Sequence, residues 1–127
     1  MSEKSTILYV DDELLNLQIF EINFRKNYRV VTALSGELAL EILELDPSIT
    51  VVVSDMRMPG MDGLEFIRKA RDKHFNLAFF ILTGYDITFE ISHALESKLI
   101  HQYFRKPFNM KEISEAIEIA LNQPKQS

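Results

Sequence analysis

The chain has 127 residues, of which 46% are hydrophobic and 26% charged, with a net charge of −5 and no cysteine. This profile fits one globular domain and excludes a disulfide framework and a thiolate metal site. The acidic balance gives no general attraction to nucleic acid or anionic lipid, and no apolar run approaches the ~18 residues that cross a bilayer. A signal-peptide pattern is absent from the amino terminus. We therefore expect a cytoplasmic protein that binds neither nucleic acid nor membrane.

Short apolar segments alternate along the chain with segments of helical periodicity. The apolar segments are rich in β-branched and aromatic residues, and they predict strands at residues 6–10, 28–33, 49–53, 79–82 and 102–104. Each is followed by apolar residues at helical spacing, which predict five helices. The residues expected to open these helices are Asp12, Ser35, Asp62 or Gly63, Asp86 and Asn109.

The helices also have predicted buried faces. In the first helix, Leu15, Ile19 and Ile22 are read as part of the apolar stripe. Aromatic rings at helical positions, among them Phe20 and Phe89, are interpreted as packing residues. We expect one domain over residues 1–127, with its core at about 6–121 and a flexible polar tail at 122–127.

The repeated strand–helix order predicts an α/β fold. It is typical of a doubly wound, flavodoxin-like domain with a five-stranded parallel sheet in the order 2-1-3-4-5 and five helices. Ligands of such sheets bind at the carboxyl ends of the strands, near a switch point. The residues at four of these strand ends are Asp11 and Asp12, Asp55, Thr83, and Lys106.

Three carboxylates in one crevice would repel one another. Two unit charges ~5 Å apart oppose each other by on the order of 3 kcal/mol at an effective dielectric of ~20. Magnesium removes that conflict because it prefers oxygen ligands and shares its shell with phosphate oxygens. Lys106 and Thr83 could hold the remaining oxygens of a phosphoryl group, and one carboxylate could be the nucleophile. Taken singly, each acid could equally be a helix cap or a loop residue.

The same residues resemble the receiver domain of two-component response regulators, in the CheY-like superfamily. The resemblance covers about residues 6–121, and its most specific run is Asp-x-x-Met-Pro-x-Met-Asp-Gly, which begins at Asp55. Val-Asp-Asp-Glu at 10–13, Leu-Thr-Gly at 82–84 and Lys-Pro-Phe within 103–108 complete the pattern.

The resemblance implies a role for each position. Asp55 would accept a phosphoryl group from a phosphohistidine of a sensor histidine kinase or phosphotransfer protein. Asp12 and Asp55 would bind Mg²⁺ (or Mn²⁺) directly, with Asp11 acting through water and the backbone carbonyl of Arg57 completing the protein ligands. Such a domain catalyses its own phosphorylation and autodephosphorylation and is not a conventional turnover enzyme.

The remaining site residues are also implied by the resemblance. Lys106 would pair with Asp55 and then with the phosphoryl oxygens, Thr83 would move to hydrogen-bond them, and the rotamer of Tyr103 would follow. The peptide bond before Pro107 is expected to be cis, which is cheap only before proline.

Two further expectations concern output and lifetime. The face made by the fourth helix, fifth strand and fifth helix would shift between inactive and active states. It would contact an unknown downstream protein or, after phosphorylation, a second copy of the chain. Arg57 and Tyr85 flank the predicted path of the hydrolytic water, and we hypothesise that they slow dephosphorylation.

Other readings stay open beside this one. The chain ends just after the fifth helix, so it is read as a stand-alone switch, although a receiver excised from a longer regulator or hybrid histidine kinase would look the same. A degenerate receiver could act as a binding module only. A phosphohydrolase of the haloacid-dehalogenase type would carry Asp-x-Asp after its first strand. A dinucleotide-binding enzyme would carry a glycine-rich turn there, where this chain has Asp11 and Asp12.

Overall fold

The computed structural model describes residues 4–74, 76–84 and 87–122. Strands and helices alternate strictly through this part of the chain. They are β1 (Thr6–Val10), α1 (Leu14–Phe24), β2 (Arg29–Ala33), α2 (Gly36–Leu45), β3 (Ile49–Asp55), α3 (Gly63–Lys73), β4 (Ala78–Thr83), α4 (Phe89–Glu96), β5 (Gln102–Arg105) and α5 (Met110–Leu121). Apart from Asn122, the predicted tail lies outside the described residues.

The five strands form one parallel sheet in the order β2-β1-β3-β4-β5, which confirms the predicted α/β fold. The three central strands are buried almost throughout because helices cover both faces of the sheet, and this explains their continuous apolar sequences. Register places Val10 beside Ser54, Asp55 beside Leu82, and Thr83 beside Arg105. The carboxyl ends of four strands therefore meet at one edge.

Two hydrophobic cores lie on opposite faces of the sheet. The core under α2, α3 and α4 is largely aliphatic, with Leu64 and Ile67 among its buried side chains, and we call it the aliphatic core. The core under α1 and α5 is rich in rings, and we call it the aromatic core. Its fully buried rings include Tyr9, Phe20 and Phe24.

A ladder of rings runs through the aromatic core. Tyr9 stacks on Phe20 at a centroid distance of 4.1 Å, and Phe20 stacks on Phe24 at 4.3 Å. Phe24 tilts against Tyr28, whose hydroxyl donates a hydrogen bond of 2.6 Å to Glu118 of α5. Each aromatic pair adds about 0.5–1.5 kcal/mol beyond the area that it buries. The ladder thus joins β1, α1 and α5 into one packed layer.

Three of the predicted helix starts are confirmed. The side chains of Ser35, Asp62 and Asn109 each accept the backbone N–H of the residue three positions on. No helix in the described segments is long and apolar enough to span a bilayer.

The predicted start of the first helix is wrong. Glu13, not Asp12, holds the N-cap position of α1, and no side chain caps this helix. The N–H of Glu13 instead donates to the Asp11 carboxylate at 3.0 Å. The side chain that bonds the backbone at this point is therefore that of Asp11 and not that of Asp12. In the fourth helix, Thr88 is the cap and its hydroxyl accepts the N–H of Ile91. The predicted opener, Asp86, lies outside the described residues.

The buried face of α1 also differs from the prediction. Leu17, Phe20 and Phe24 are the buried side chains, whereas Leu15 and Ile22 are 64% and 61% exposed. Ile19 is exposed as well. The helix is apolar on nearly every side, so periodicity alone could not select the face that packs. The prediction that Phe89 is a packing residue is also wrong, because its side chain is 84% exposed on α4.

Candidate phosphoryl and metal site

The predicted site residues converge at the carboxyl edge of the sheet. Asp11 directly follows β1, Asp55 ends β3, Thr83 ends β4, and Lys106 directly follows β5. They meet because neighbouring parallel strands end side by side and point the same way.

Three carboxylates form the centre of this edge. Asp11, Asp12 and Asp55 each offer an oxygen, and these oxygens all lie within 4.8 Å of one another. Asp11 and Asp55 are buried, whereas Asp12 is exposed. A compact all-oxygen donor set that opens to solvent on one side suits Mg²⁺, which retains several of its waters. The residues present therefore fit the ion that the sequence predicts.

Lys106 is the cation of the site. Its ammonium nitrogen lies 3.0 Å from Asp55 Oδ1 and 3.3 Å from Asp11 Oδ2. Burial works against its charge, but the hydrogen bond and charge of Asp55, then those of Asp11, outweigh burial and raise the pKa of Lys106. The lysine therefore stays protonated at neutral pH and can face an anionic group.

Asp55 experiences competing influences. Burial raises the pKa of its carboxyl group, the hydrogen bond and charge of Lys106 lower it, and the charges of Asp11 and Asp12 raise it again. The net direction is upward. A divalent cation at these carboxylates would favour their charged forms and offset both burial and their mutual repulsion.

Asp11 is held by three donors. Its Oδ2 atom accepts the Tyr9 hydroxyl at 2.7 Å and Lys106 at 3.3 Å, and its Oδ1 atom accepts the N–H of Glu13 at 3.0 Å. Burial, followed by the charge and hydrogen bond of Asp11, raises the pKa of Tyr9, so the phenol remains a donor.

Tyr9 is the site residue that sequence reasoning missed. It lies two positions before Asp11 on β1, and alternate residues of a strand point to the same face. That spacing was the available signal, but a ring inside an apolar strand reads first as a core residue. Tyr9 is both, since its ring packs in the aromatic core while its hydroxyl reaches the site.

The predicted switch residues lie toward the other face. Thr83 is buried at the end of β4, and it shares strand alternation with Ile81 of the aliphatic core. Tyr103 pairs in register with Ile81 and packs, half-buried, against the same core. The Lys106–Pro107 peptide bond is cis, as expected.

The residues expected to slow dephosphorylation are only partly described. Arg57 is exposed in the loop after β3, two positions beyond Asp55. Tyr85 lies outside the described residues.

Gly63 fixes the junction between β3 and α3. Its N–H donates to the carbonyl of Met56 at 2.8 Å, and a Cβ atom at Gly63 would lie 2.4 Å from the carbonyl oxygen of Asp55. No side chain fits such a gap unless the backbone shifts. The glycine therefore lets α3 begin directly against the residue that carries the central carboxylate.

A groove of about 650 Å³ borders the site between α1 and the β5–α5 loop. Tyr9, Gly84 and Lys106 lie at its inner side. The remaining lining comes from α1 and from the segment after β5: Asn16, Ile19, Asn23, Pro107, Phe108 and Met110.

Comparison with known proteins gives the chain a family. A sequence profile of the response regulator receiver domain matches residues 7–118. Sporulation initiation phosphotransferase F of Bacillus subtilis is 32% identical over 121 residues, which cover 93% of each chain. The hydrogenase transcriptional regulatory protein HoxA of Cupriavidus necator is 31% identical over 109 residues, and these are 85% of this chain but 22% of HoxA.

The fold agrees with the sequence comparison. The crystal structure of a response regulator receiver domain protein from Clostridium thermocellum superposes with a TM-score of 0.83 at 31% identity, covering 93% of this chain and 94% of that chain. The chain therefore belongs to the response regulator receiver domains, the phosphoryl-accepting switches of two-component signalling.

Proposed function

We propose that Asp55 is the phosphoryl acceptor of this receiver. The observation that carries the proposal is the pairing of Asp55 Oδ1 with Lys106 at 3.0 Å inside a cluster of three carboxylates. Asp55 ends the strand at the centre of the cluster, with a cation on one side and two acids on the other. This is the arrangement that an anionic transferring group requires.

The proposed reaction is a direct transfer from phosphohistidine. An oxygen of the Asp55 carboxylate attacks phosphorus, the phosphorus–nitrogen bond breaks, and the electron pair returns to the donor imidazole. Lys106 stabilises the charge on the equatorial oxygens, and positioning supplies much of the rest of the catalysis. The signal ends by hydrolysis: water attacks phosphorus, and inorganic phosphate and the Asp55 carboxylate are released.

Asp11, Asp12 and Asp55 would hold Mg²⁺, or Mn²⁺, with the backbone carbonyl of Arg57 as a further ligand. When bound, the ion supplies neutralising charge to the phosphoryl oxygens. The exposure of Asp12 supports its role as a direct ligand, because its oxygen is open to a hydrated ion. Asp11, buried and held by three donors, is better suited to act through water.

Phosphorylation would then be read through Thr83 and Tyr103. The phosphoryl group brings a charge of about −1.5 to −2 and three strong acceptors in place of the single carboxylate charge of Asp55. Thr83 ends the strand next to β3, so its hydroxyl can reach these acceptors by a local movement. Tyr103 packs on the same core and would repack as β4 adjusts. The face of α4, β5 and α5 would change accordingly.

The groove beside α1 supports a docking place for the phosphoryl donor. Leu14, Leu15, Ile19 and Ile22 are exposed on α1, and the groove leads from that helix to Lys106. We propose that a histidine kinase or phosphotransfer protein covers these apolar side chains and so brings its phosphohistidine to Asp55. A partner on this surface would bury area that the monomer leaves in water.

The decisive experiment measures intact-protein mass after incubation with Mg²⁺ and a small-molecule phosphodonor. We expect a shift of one phosphoryl group in the wild type and no shift in Asp55→Asn or after chelation of the metal. Asp72→Asn, a change at an exposed acid on α3, is the matched control and should leave phosphorylation intact. An unchanged shift in Asp55→Asn would reject Asp55 as the acceptor.

The docking surface has its own test. Leu15→Asp should slow transfer from a phosphorylated histidine donor protein by at least tenfold and leave phosphorylation by the small donor unchanged. Leu45→Asp, at an exposed leucine on α2, is the control. If both variants slow transfer equally, the donor does not dock on α1.

The lifetime of the phosphoryl group is a further part of the proposal. Arg57 and Tyr85 would shield the aspartyl phosphate from water, so Arg57→Asn with Tyr85→Glu should accelerate its loss. A double variant that dephosphorylates no faster than wild type would remove this role.

The proposed output surface is the face formed by α4, β5 and α5. We propose that residues 1–127 act as a single receiver whose α4-β5-α5 face binds an unidentified downstream protein or, once phosphorylated, a second copy. The exposed ring of Phe89 on α4 supports an apolar contact there. Size-exclusion chromatography of the chain alone, with and without phosphorylation, distinguishes the two partners. A larger apparent mass after phosphorylation indicates a second copy, and an unchanged mass favours a different protein.

A further inference from the structure

The side chain of Tyr9 is fixed at both ends. Its ring is 1% exposed and lies almost parallel to Phe20, with 5° between the ring planes. Its hydroxyl is 2.7 Å from Asp11 Oδ2. A ring locked in a stack cannot swing away, so the direction of its hydroxyl is set by packing.

Asp11 depends on these donors because it is 0% exposed. Tyr9 and Lys106 share its Oδ2 atom, while the N–H of Glu13 takes Oδ1. With no exposed surface, Asp11 has no direct contact with bulk solvent to replace a lost donor. A buried carboxylate that loses its partner is strongly destabilised, more so than an exposed one.

Lys106 pairs with a second carboxylate besides that of Asp11. It bridges Asp11 and Asp55, so a phosphoryl group on Asp55 would offer it several new acceptor oxygens. If Lys106 turns to them, the Oδ2 atom of Asp11 retains only the Tyr9 hydroxyl among these two donors. The tyrosine is thus the donor to Oδ2 that does not also serve the acceptor aspartate.

We propose that the Tyr9 hydroxyl is a positioning group for the metal site. It holds the Asp11 carboxylate toward Asp12 and Asp55, and it keeps the Oδ2 atom of Asp11 hydrogen-bonded when Lys106 turns to the phosphoryl group. This inference rests on the proposed function, since it assigns Tyr9 a role toward the ion that the three carboxylates would bind. Groups that orient metal-site residues in this way typically change metal affinity by about 10–100-fold when they are removed.

The test compares two tyrosines whose hydroxyls donate to different carboxylates, one at the site and one away from it. Tyr9→Phe removes a hydroxyl that donates to a carboxylate at the site, and Tyr28→Phe removes one that donates to Glu118 on the same ring ladder. Both variants keep their rings, so both should fold, which circular dichroism verifies. Calorimetric titration with Mg²⁺ alone should show affinity at least tenfold weaker for Tyr9→Phe and within twofold of wild type for Tyr28→Phe.

A double-mutant cycle shows whether Tyr9 acts through Asp11. In the Asp11→Asn background, Tyr9→Phe should change Mg²⁺ affinity by less than twofold. The inference is overturned if Tyr9→Phe binds Mg²⁺ as well as or better than wild type. It is also overturned if Tyr28→Phe weakens binding equally, or if the effect of Tyr9→Phe persists without Asp11.

Failure here is distinguishable from failure of the proposed function. Wild-type protein that binds Mg²⁺ and is phosphorylated at Asp55, while Tyr9→Phe matches it, rejects only the role of Tyr9. Wild-type protein that neither binds Mg²⁺ nor accepts phosphate rejects the proposed function, and the role of Tyr9 fails with it.

Discussion

The two faces of the sheet supply different parts of the site. Strand alternation assigns Asp11 to the aromatic face with Tyr9, and Asp55 to that face with Val53. It assigns Thr83 and Tyr103 to the aliphatic face. Asp11 and Asp55 thus extend from the ring-rich core, whereas Thr83 and Tyr103, which would report phosphorylation, extend from the aliphatic core.

This division has a physical basis. Stacked rings have few rotamers and defined contact geometry, so they hold a polar group such as the Tyr9 hydroxyl in one direction. Aliphatic cores tolerate volume-conserving hydrophobic substitutions at a cost below about 1.5 kcal/mol, so they depend less on one exact packing arrangement. We therefore expect the groups that must stay fixed to lie on the aromatic core, whereas Thr83 and Tyr103, which would move, lie on the aliphatic side.

The largest effect is expected at Gly63, where the start of α3 packs against the end of β3. Gly63→Ala forces the backbone away from Asp55, which should lower the free energy of unfolding by about 2–3 kcal/mol. Displacing the carboxylate by even ~1 Å could slow phosphorylation ~100-fold. Urea unfolding and phosphorylation rates measure the two effects.

Gly84→Ala is the control for this change, because the nearest atom to an added Cβ there is 4.0 Å away. It should alter stability by less than ~0.5 kcal/mol. Equal losses in both variants would mean that the tight junction at Gly63 is not what matters.

The comparison of the two faces can be broken by a pair of core substitutions. Phe20→Leu on the aromatic face and Phe66→Leu on the aliphatic face each change a fully buried ring, and each should destabilise the protein by about 1–2 kcal/mol. Only Phe20→Leu should weaken Mg²⁺ binding, since Phe20 stacks on Tyr9. Equal weakening by Phe66→Leu would show that the aromatic face has no special role in the site.

Removing the lysine should act in the opposite direction on metal affinity. Lys106→Met deletes a cation 3.0 Å from Asp55, so Mg²⁺ should bind roughly tenfold more tightly although phosphorylation fails. Lys111→Met, at an exposed position on α5, should change neither property. Mg²⁺ affinity that is unaltered in Lys106→Met would mean that the lysine and the ion do not compete.

The smallest effect concerns pH and lies at the opposite end of the sheet. His101 Nδ1 accepts the N–H of Phe79 at 3.1 Å, so this bond requires the uncharged ring. Burial, followed by the charge of Arg71, lowers the pKa of His101. The stabilisation is present above about pH 6.5, the unfolded value, and is lost as pH falls through the lowered folded pKa.

His101→Asn tests this assignment because an amide oxygen can accept the same N–H without titrating. Between pH 7 and pH 5 (about two units around the unfolded pKa), wild type should lose up to ~1 kcal/mol more than the variant. Parallel pH profiles from thermal unfolding would contradict the assignment.

The sheet was predictable because its three central strands are largely apolar runs bounded by polar residues, and the site was predictable because its residues lie at or just after the ends of strands. Asp11, Asp55, Thr83 and Lys106 needed no tertiary information beyond strand order. The gathering of these four residues at one edge is confirmed, whereas their chemical roles stay predictions.

Other features depend on contacts that sequence patterns do not contain. Asp11 and Asp12 are adjacent acids, and the sequence does not show which of them interacts with the backbone at the start of α1. The outcome depends on Asp11 being buried where it can accept from Tyr9 and Lys106. Likewise α1 offers apolar residues on several sides, and the aromatic ladder selects the face with Phe20 and Phe24.

The bond between Lys106 and Asp11 joins positions 95 residues apart. Closing so long a loop is entropically unfavourable until the intervening strands have paired, and non-local contacts of this kind slow folding. As the chain is synthesised from its amino terminus, Asp11 emerges long before its lysine does. The candidate site is therefore completed only when β5 joins the sheet, at the stage when Phe104, Ile113 and Ile117 also complete the aromatic core.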